Sequence, residues 1–120
     1  MKAKNICDIN KIHTKKIQKA LQNLPSETEI NEMSVLFSTL SDQTRLKILY
    51  ALLSQQLCGC DLAKITLVSK SAVSHQMRIL KMTKLVKAKR VGKQVFYSIA
   101  DEHVKQILLM ALSHVREEEK

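Results

Sequence analysis

The sequence predicts a mainly α (α+β) fold: a winged helix-turn-helix with a basic β-hairpin wing and terminal helices suited to dimerisation. Three observations carry this. Two short helical patterns meet at a tight joint between Cys60 and Met82. Two stretches rich in β-formers flank Gly92. Positive charge gathers in the same part of the chain, where residues 61–100 set nine basic side chains against Asp61 alone.

Each element has its own signal. Ile17, Ala20, Leu21 and Leu24 recur at helical spacing over Lys15 to Leu24, and Pro25 stops that helix. Ser26 and Glu29 stand as a capping box before a stripe of Ile30, Met33, Phe37 and Leu40. Ser41 or Asp42 caps a third helix, with Leu46, Leu49, Leu52 and Leu53 inward. A short helix over Cys60 to Ile65 follows, then one from Ser69 or Ser71 to about Met82. In that helix Val73, Met77 and Leu80 form the apolar face. Leu85 to Arg90 and Gln94 to Ile99 read as strands of a hairpin turned at Gly92. Asp101 caps a last helix whose Val104, Ile107, Leu108, Ala111 and Val115 are expected on one stripe.

The chain has 120 residues, enough for one modest core, and a net charge of +9. Basic charge concentrated in a structured segment is the electrostatic footprint of phosphate-backbone binding. Aromatic residues are few, namely Phe37, Tyr50, Phe96 and Tyr97, with no Trp. Single-strand and RNA-binding sheets stack bases on aromatic platforms, so duplex DNA is the expected partner. On the second helix of the pair, Ser71, Ser74, His75 and Arg78 face away from the apolar stripe and suit base edges in a major groove. Ser69 and Lys70 at its start suit phosphate, as do Lys87, Lys89, Arg90 and Lys93 on the wing. A solvated helix face would show the same polar residues; the adjoining basic wing favours DNA.

No apolar run approaches the ~20 residues that span a bilayer, and the first residues lack a signal-peptide core. No membrane is expected, and a cytoplasmic location is. Thiols stay reduced there, and an odd count of three cysteines argues against a disulfide scaffold. Cys58 and Cys60, one residue apart, offer two thiolates to one soft cation, and Cys7 is the remaining thiol able to complete such a site. Three thiolates suit Cd(II), Pb(II) or Zn(II); Asp8 or His13 are further donors nearby. Burial as small core residues is the other reading of these cysteines.

A second donor set lies on the last helix. His103 and His114 share a face but stand ~16 Å apart at helical rise. Two such helices packed antiparallel would bring Asp101 and His103 of one chain to His114 and Glu117 of another, a four-ligand site for Zn(II) that exists only in a homodimer. Spacing alone also allows four polar residues near helix ends, with Asp101 simply a cap. Nothing resembles a Ser-His-Asp set, a phosphate loop or paired buried carboxylates, so neither an enzyme nor a small-molecule substrate is expected.

With these parts assembled, the chain resembles the ArsR/SmtB-type winged-helix metal sensors over nearly all its length. LSDQTRLKILYALL, LCGCDLA, SKSAVSHQMRIL, RVGKQVFYSI and DEHVKQILLMALSH fall in that family's order, and the LCGCDLA segment is its specific signature. Cys7 on a basic arm makes it most similar to the CadC type, the cadmium, lead and zinc sensors. The resemblance implies a homodimeric repressor, bound to a palindromic operator without metal and released by it, controlling metal resistance or efflux genes. It implies a thiolate site joining Cys58 and Cys60 to Cys7 of the other protomer, and an interhelical zinc site of Asp101, His103, His114 and Glu117. It divides the chain into a basic arm and first helix (1–24), a DNA-binding core (25–100) and a dimerisation helix (101–120). The sequence departs from the family's pattern at Lys11, where the CadC type carries a second arm cysteine, at Ala63, where arsenic sensors carry one, and at Gln76-Met77 and Lys84-Leu85. A thiol-redox or arsenite-responsive repressor and a constitutive DNA-binding protein are the alternatives.

Overall fold

The computed structural model describes residues 14–117; Cys7, Asp8, Lys11 and His13 lie outside them. The chain forms two compact units, one running to Met33 and one from Ser34 onward, each described by itself.

In the first unit, α1 covers residues 14–22, stopping two residues before the expected end. Ser26 and Glu29 form the expected reciprocal cap: the Ser26 N–H donates to Glu29 Oε1 (2.9 Å) and the Glu29 N–H to Ser26 Oγ (3.1 Å). They open α2, Glu27–Leu40, whose last part belongs to the second unit. Ile17, Leu21, Leu24, Ile30 and Met33 are all exposed, so the apolar stripes of α1 and early α2 stay uncovered in the single chain.

The second unit holds the core. After α2 come α3 (Gln43–Ala51), β1 (Leu57–Cys58), α4 (Gly59–Thr66), α5 (Lys70–Met82), β2 (Val86–Val91), β3 (Gln94–Ile99) and α6 (Glu102–Glu117). Of the two candidate caps for α3, Asp42 is used, its Oδ2 accepting the Arg45 N–H at 3.0 Å. Leu49 and Leu52 are buried as expected, Leu46 and Leu53 are half-buried, and Ile48 fills the core instead. Leu57, Leu62, Val73, Met77, Leu80, Leu85, Val86, Val104 and Leu108 complete it.

The sheet is antiparallel in the order β1-β3-β2. Val86 pairs with Ile99 and Val91 with Gln94, leaving Gly92 and Lys93 as a two-residue turn. Gly92 has φ +63° and Lys93 does not share it, the pattern of a type II′ turn, whose first central position needs a left-handed residue. The two-residue β1 was not expected; it pairs Leu57 with Tyr97 and Cys58 with Phe96, fixing the start of α4 against the base of the wing.

Two helices end on non-glycine residues in the left-handed region. Leu67, φ 60°, closes α4, its N–H reaching the Ala63 carbonyl at 2.9 Å. Lys84, φ 61°, closes α5 in a Schellman arrangement, with Leu85 N–H to Leu80 O at 2.9 Å and Lys84 N–H to Lys81 O at 3.0 Å. On α6, Asp101 Oδ1 accepts the Val104 N–H at 3.0 Å, as expected of a cap. The single stripe expected there divides instead: Val104 and Leu108 enter the core, while Ile107 is half-buried and Ala111 and Val115 are exposed. Among the described residues, no helix is long and apolar enough to cross a membrane.

Candidate DNA interface and metal centres

α4 and α5 form the helix pair, joined through Leu67, Val68 and Ser69. Ser69 caps α5, its Oγ accepting the Ala72 N–H at 3.0 Å. That acceptor role leaves the hydroxyl proton, with the N–H groups of Lys70 and Ser71 at the helix start, to meet an anion. Val73, Met77 and Leu80 are buried, whereas Lys70, Ser71, Ser74, His75 and Arg78 are exposed on the rest of the helix. On the wing, Lys87, Lys89, Arg90 and Lys93 are exposed too. Lys87 and Lys89 alternate along β2, so they share one face of the ribbon and Arg90 takes the other. No acidic residue occurs between Leu62 and Ala100, and the one ion pair identified among the described residues, His103 with Asp101, lies elsewhere. Every cation of this surface is therefore available to phosphate.

Arg45 was not singled out in the sequence and Gln76 only as a departure from the family's pattern, yet together they tie α3 to α5. Arg45 Nη1 donates to Gln76 Oε1 at 3.0 Å, and Arg45 Nε donates to the Thr39 carbonyl at 2.8 Å. Gln76 follows His75 on α5, so the exposed candidate for base contact and the residue tied to Arg45 are neighbours. Thirty-one residues separate the two partners, and only the tertiary fold reveals the contact.

The cysteine pair sits where β1 becomes α4. Cys58 is buried and Cys60, in the first turn of α4, is exposed. The Cys58 thiol donates to Asp61 Oδ2 at 3.3 Å, and the Cys58 N–H donates to the same oxygen at 3.2 Å. The two readings of the cysteines thus divide between them: Cys58 is a buried residue with a polar partner, Cys60 a solvent-facing thiol. Two soft sulfur donors fit Cd(II), Pb(II) or Zn(II) by chemistry. Among the described residues, though, no group of three His, Cys, Asp or Glu side chains gathers to hold an ion. Cys7, the expected third donor, lies outside them.

The α6 donors behave similarly. His103 Nδ1 lies 3.8 Å from Asp101 Oδ1, and both side chains face solvent. His114 and Glu117 are exposed at the far end of the helix. His103, His114 and Glu117 line one open groove of about 700 Å³ with Phe37, Ile107 and Met110. Its lining is mainly apolar and includes the nitrogen and oxygen donors of His103, His114 and Glu117, which suits contact with another helix. One chain alone does not bring the four donors together.

Comparison with known proteins agrees with this architecture. The profile of the bacterial regulatory protein, arsR family, matches residues 42–88, from the α3 cap to the middle of β2. The chain is 41% identical over 112 residues to a transcriptional repressor SmtB homolog of Synechocystis sp., covering 93% of this chain and 85% of that one. It is 40% identical over 115 residues to a cadmium resistance transcriptional regulatory protein CadC homolog of Staphylococcus aureus, covering 95% and 94%. Among solved structures, the AntR antimony-specific transcriptional repressor superposes with a TM-score of 0.71 at 35% identity, covering 83% of this chain and 93% of that one. The homodimeric winged helix-turn-helix domain of Mb0332 from Mycobacterium bovis shares the fold, with a TM-score of 0.73 at 23% identity over 80% and 92%. The chain is a transcriptional regulator rather than an enzyme, and it belongs to the arsR family of bacterial regulatory proteins.

Proposed function

We propose that this protein is a metal-responsive repressor whose apo homodimer holds operator DNA and lets it go when Cd(II), Pb(II) or Zn(II) binds, controlling metal resistance or efflux genes. The observation that carries the reading is the position of Cys58 and Cys60 at the start of α4, the first helix of the DNA-binding pair. Soft donors built into the reading module itself have a direct mechanical route to it. Relatives named for cadmium resistance, at 37–40% identity, support the choice of ion.

The residues divide the work as follows. Ser71, Ser74, His75 and Arg78 read base edges; Ser69, Lys70, Lys87, Lys89, Arg90 and Lys93 take phosphates. The exposed stripes of α1 and α2 and the α6 groove are the surfaces on which a second copy packs. In that pairing Asp101 and His103 meet His114 and Glu117 of the other chain to hold Zn(II), and Cys7 joins Cys58 and Cys60. Residues 1–24 then serve as arm and first helix, 25–100 as DNA-binding core and 101–120 as dimerisation helix. A bound cation supplies bonds that favour one arrangement of the two chains over another. The reading helices must lie ~34 Å apart to enter successive major grooves, so an arrangement that alters this spacing lowers affinity. A 100-fold release requires about 2.7 kcal/mol of differential binding.

The similarity to an antimony-specific repressor favours one second reading, in which Cys7, Cys58 and Cys60 take a trivalent metalloid such as arsenite. The test uses duplex DNA selected by the apo protein from a randomised pool. Cd(II), Pb(II), Zn(II) and arsenite are added while fluorescence anisotropy follows the complex. Release by a divalent ion supports the proposal. Release by arsenite alone supports the second reading, and no release by any of them defeats both.

A further inference from the structure

α3 carries two side-chain ties that leave it in different directions. Near its start, Arg45 bonds the Thr39 carbonyl in the last turn of α2 and Gln76 Oε1 on α5, at 2.8 and 3.0 Å. Near its end, Tyr50 donates its hydroxyl to the Leu108 carbonyl on α6 at 2.7 Å. Five residues at ~100° each set the two side chains about 140° apart around the helix. α6 is thus bonded to α3, and α3 to the helix that carries His75.

The chemistry of each tie makes it a reporter of helix position. Tyr50 grips a main-chain carbonyl inside α6, so the bond follows the helix itself and not a mobile side chain. Leu108 lies between His103 and His114, next to Ile107 of the groove. Arg45 is half-buried with neutral oxygens as its hydrogen-bond acceptors. Its planar fork has a fixed spread, so both acceptors must stay in register for both bonds to survive. Thr39 is itself buried, and its neighbour Phe37 lines the α6 groove. The groove therefore reaches Arg45 by two routes, through Tyr50 and through the end of α2.

We propose that α3 is a lever, with Tyr50 and Arg45 as positioning residues that carry a displacement of α6 to the reading helix and so couple the α6 donor set to DNA affinity. This rests on the reading that bound metal lowers operator affinity and that the α6 donors of two chains hold Zn(II), and it adds that this zinc acts on the reading helix. Neither residue touches DNA or metal in this scheme; each acts through the helix it holds.

Coupling, not stability, is the quantity that tests it. Operator affinity is measured with and without saturating Zn(II) for the parent, Tyr50→Phe, Arg45→Lys and the control Thr66→Val. Thr66 makes a similar hydroxyl-to-carbonyl bond, to Leu62 at 2.7 Å, off this route. Zinc stoichiometry and amide hydrogen exchange across α5 are recorded alongside. Tyr50→Phe should bind zinc and, without metal, DNA as the parent does. Its zinc-induced loss of DNA affinity should shrink by about tenfold, and zinc should no longer alter exchange in α5. Arg45→Lys should lose the coupling too, whereas Thr66→Val should keep it. Parent-like coupling in both Tyr50→Phe and Arg45→Lys overturns the lever and leaves the metal-responsive reading standing. A parent that zinc does not release from DNA overturns the lever, whereas the metal-responsive reading falls only if Cd(II) and Pb(II) fail to release it as well. Should Tyr50→Phe fail to fold, Arg45→Lys decides.

Discussion

One carboxylate oxygen of Asp61 accepts both the thiol and the backbone N–H of Cys58, at 3.3 and 3.2 Å. Cys58 occupies the N-cap of α4, a position where Ser is among the preferred residues. Asp61 sits in the first turn, where a carboxylate also suits the helix dipole. Asp61→Ala should therefore cost about 1 kcal/mol in urea unfolding under reducing conditions, and Asp61→Asn, which keeps an acceptor, should cost less. Cys58→Ser should unfold near the parent's midpoint, because a hydroxyl replaces the thiol at a cap.

Lys84 occupies the left-handed position of the Schellman turn that ends α5. A side chain there costs roughly 1 kcal/mol that glycine avoids. Lys84 is exposed, so its removal loses little packing. Lys84→Gly should raise stability by about 0.5–1 kcal/mol, seen as a higher urea midpoint with an unchanged slope. An equal or lower midpoint would contradict the reading of that turn.

The wing and the reading helix should fail in different ways. Lys89 is exposed on β2 opposite Phe96, and phosphate is its expected partner. Lys89→Ala should weaken binding to all duplexes and lower the slope of log K against log salt by about 0.9. His75→Ala should leave that slope alone and narrow the gap between selected and random duplex by about 1–3 kcal/mol. Anisotropy titrations at several salt concentrations separate the two.

The Tyr50 phenol lies above its ordinary value, because burial disfavours the phenolate and the attraction of Arg116 offsets this only in part. As pH rises past about 10 the unfolded chain releases this proton first, while the folded chain still holds it for Leu108. The native state then binds more protons, so stability falls from about pH 10 upward through the folded value. Tyr50→Phe lacks that component, and urea unfolding at pH 9 and pH 11 should show a smaller loss than in the parent.

Much of this architecture is legible in the sequence because helix ends announce themselves chemically. Ser26 with Glu29, Asp42, Ser69 and Asp101 each cap the helix that their side chains suggest. The 3.6-residue period also separates Val73, Met77 and Leu80 from the polar face of α5. β1 is hidden because two residues carry no period, and it exists only through its pairing with β3. The division of the α6 stripe is hidden for another reason: Val104 and Leu108 serve this chain's core, while Ala111 and Met110 border a groove outside it. The Arg45 to Gln76 bond and the half-buried Tyr50 depend on distant segments meeting, which no local pattern encodes. The cysteine pair stands between these cases. Its spacing marks it as chemical, but only the fold shows one thiol buried on Asp61 and the other facing solvent.

The most direct test of the metal switch is an anaerobic titration of the reduced, operator-bound protein with Cd(II), following thiolate-to-metal absorbance and DNA release together. The account predicts a charge-transfer band that saturates at one ion per chain, rises in step with release, and is lost in Cys7→Ser and in the cap-preserving Cys58→Ser. Absence of the band, or a full band with the operator still bound, would contradict it.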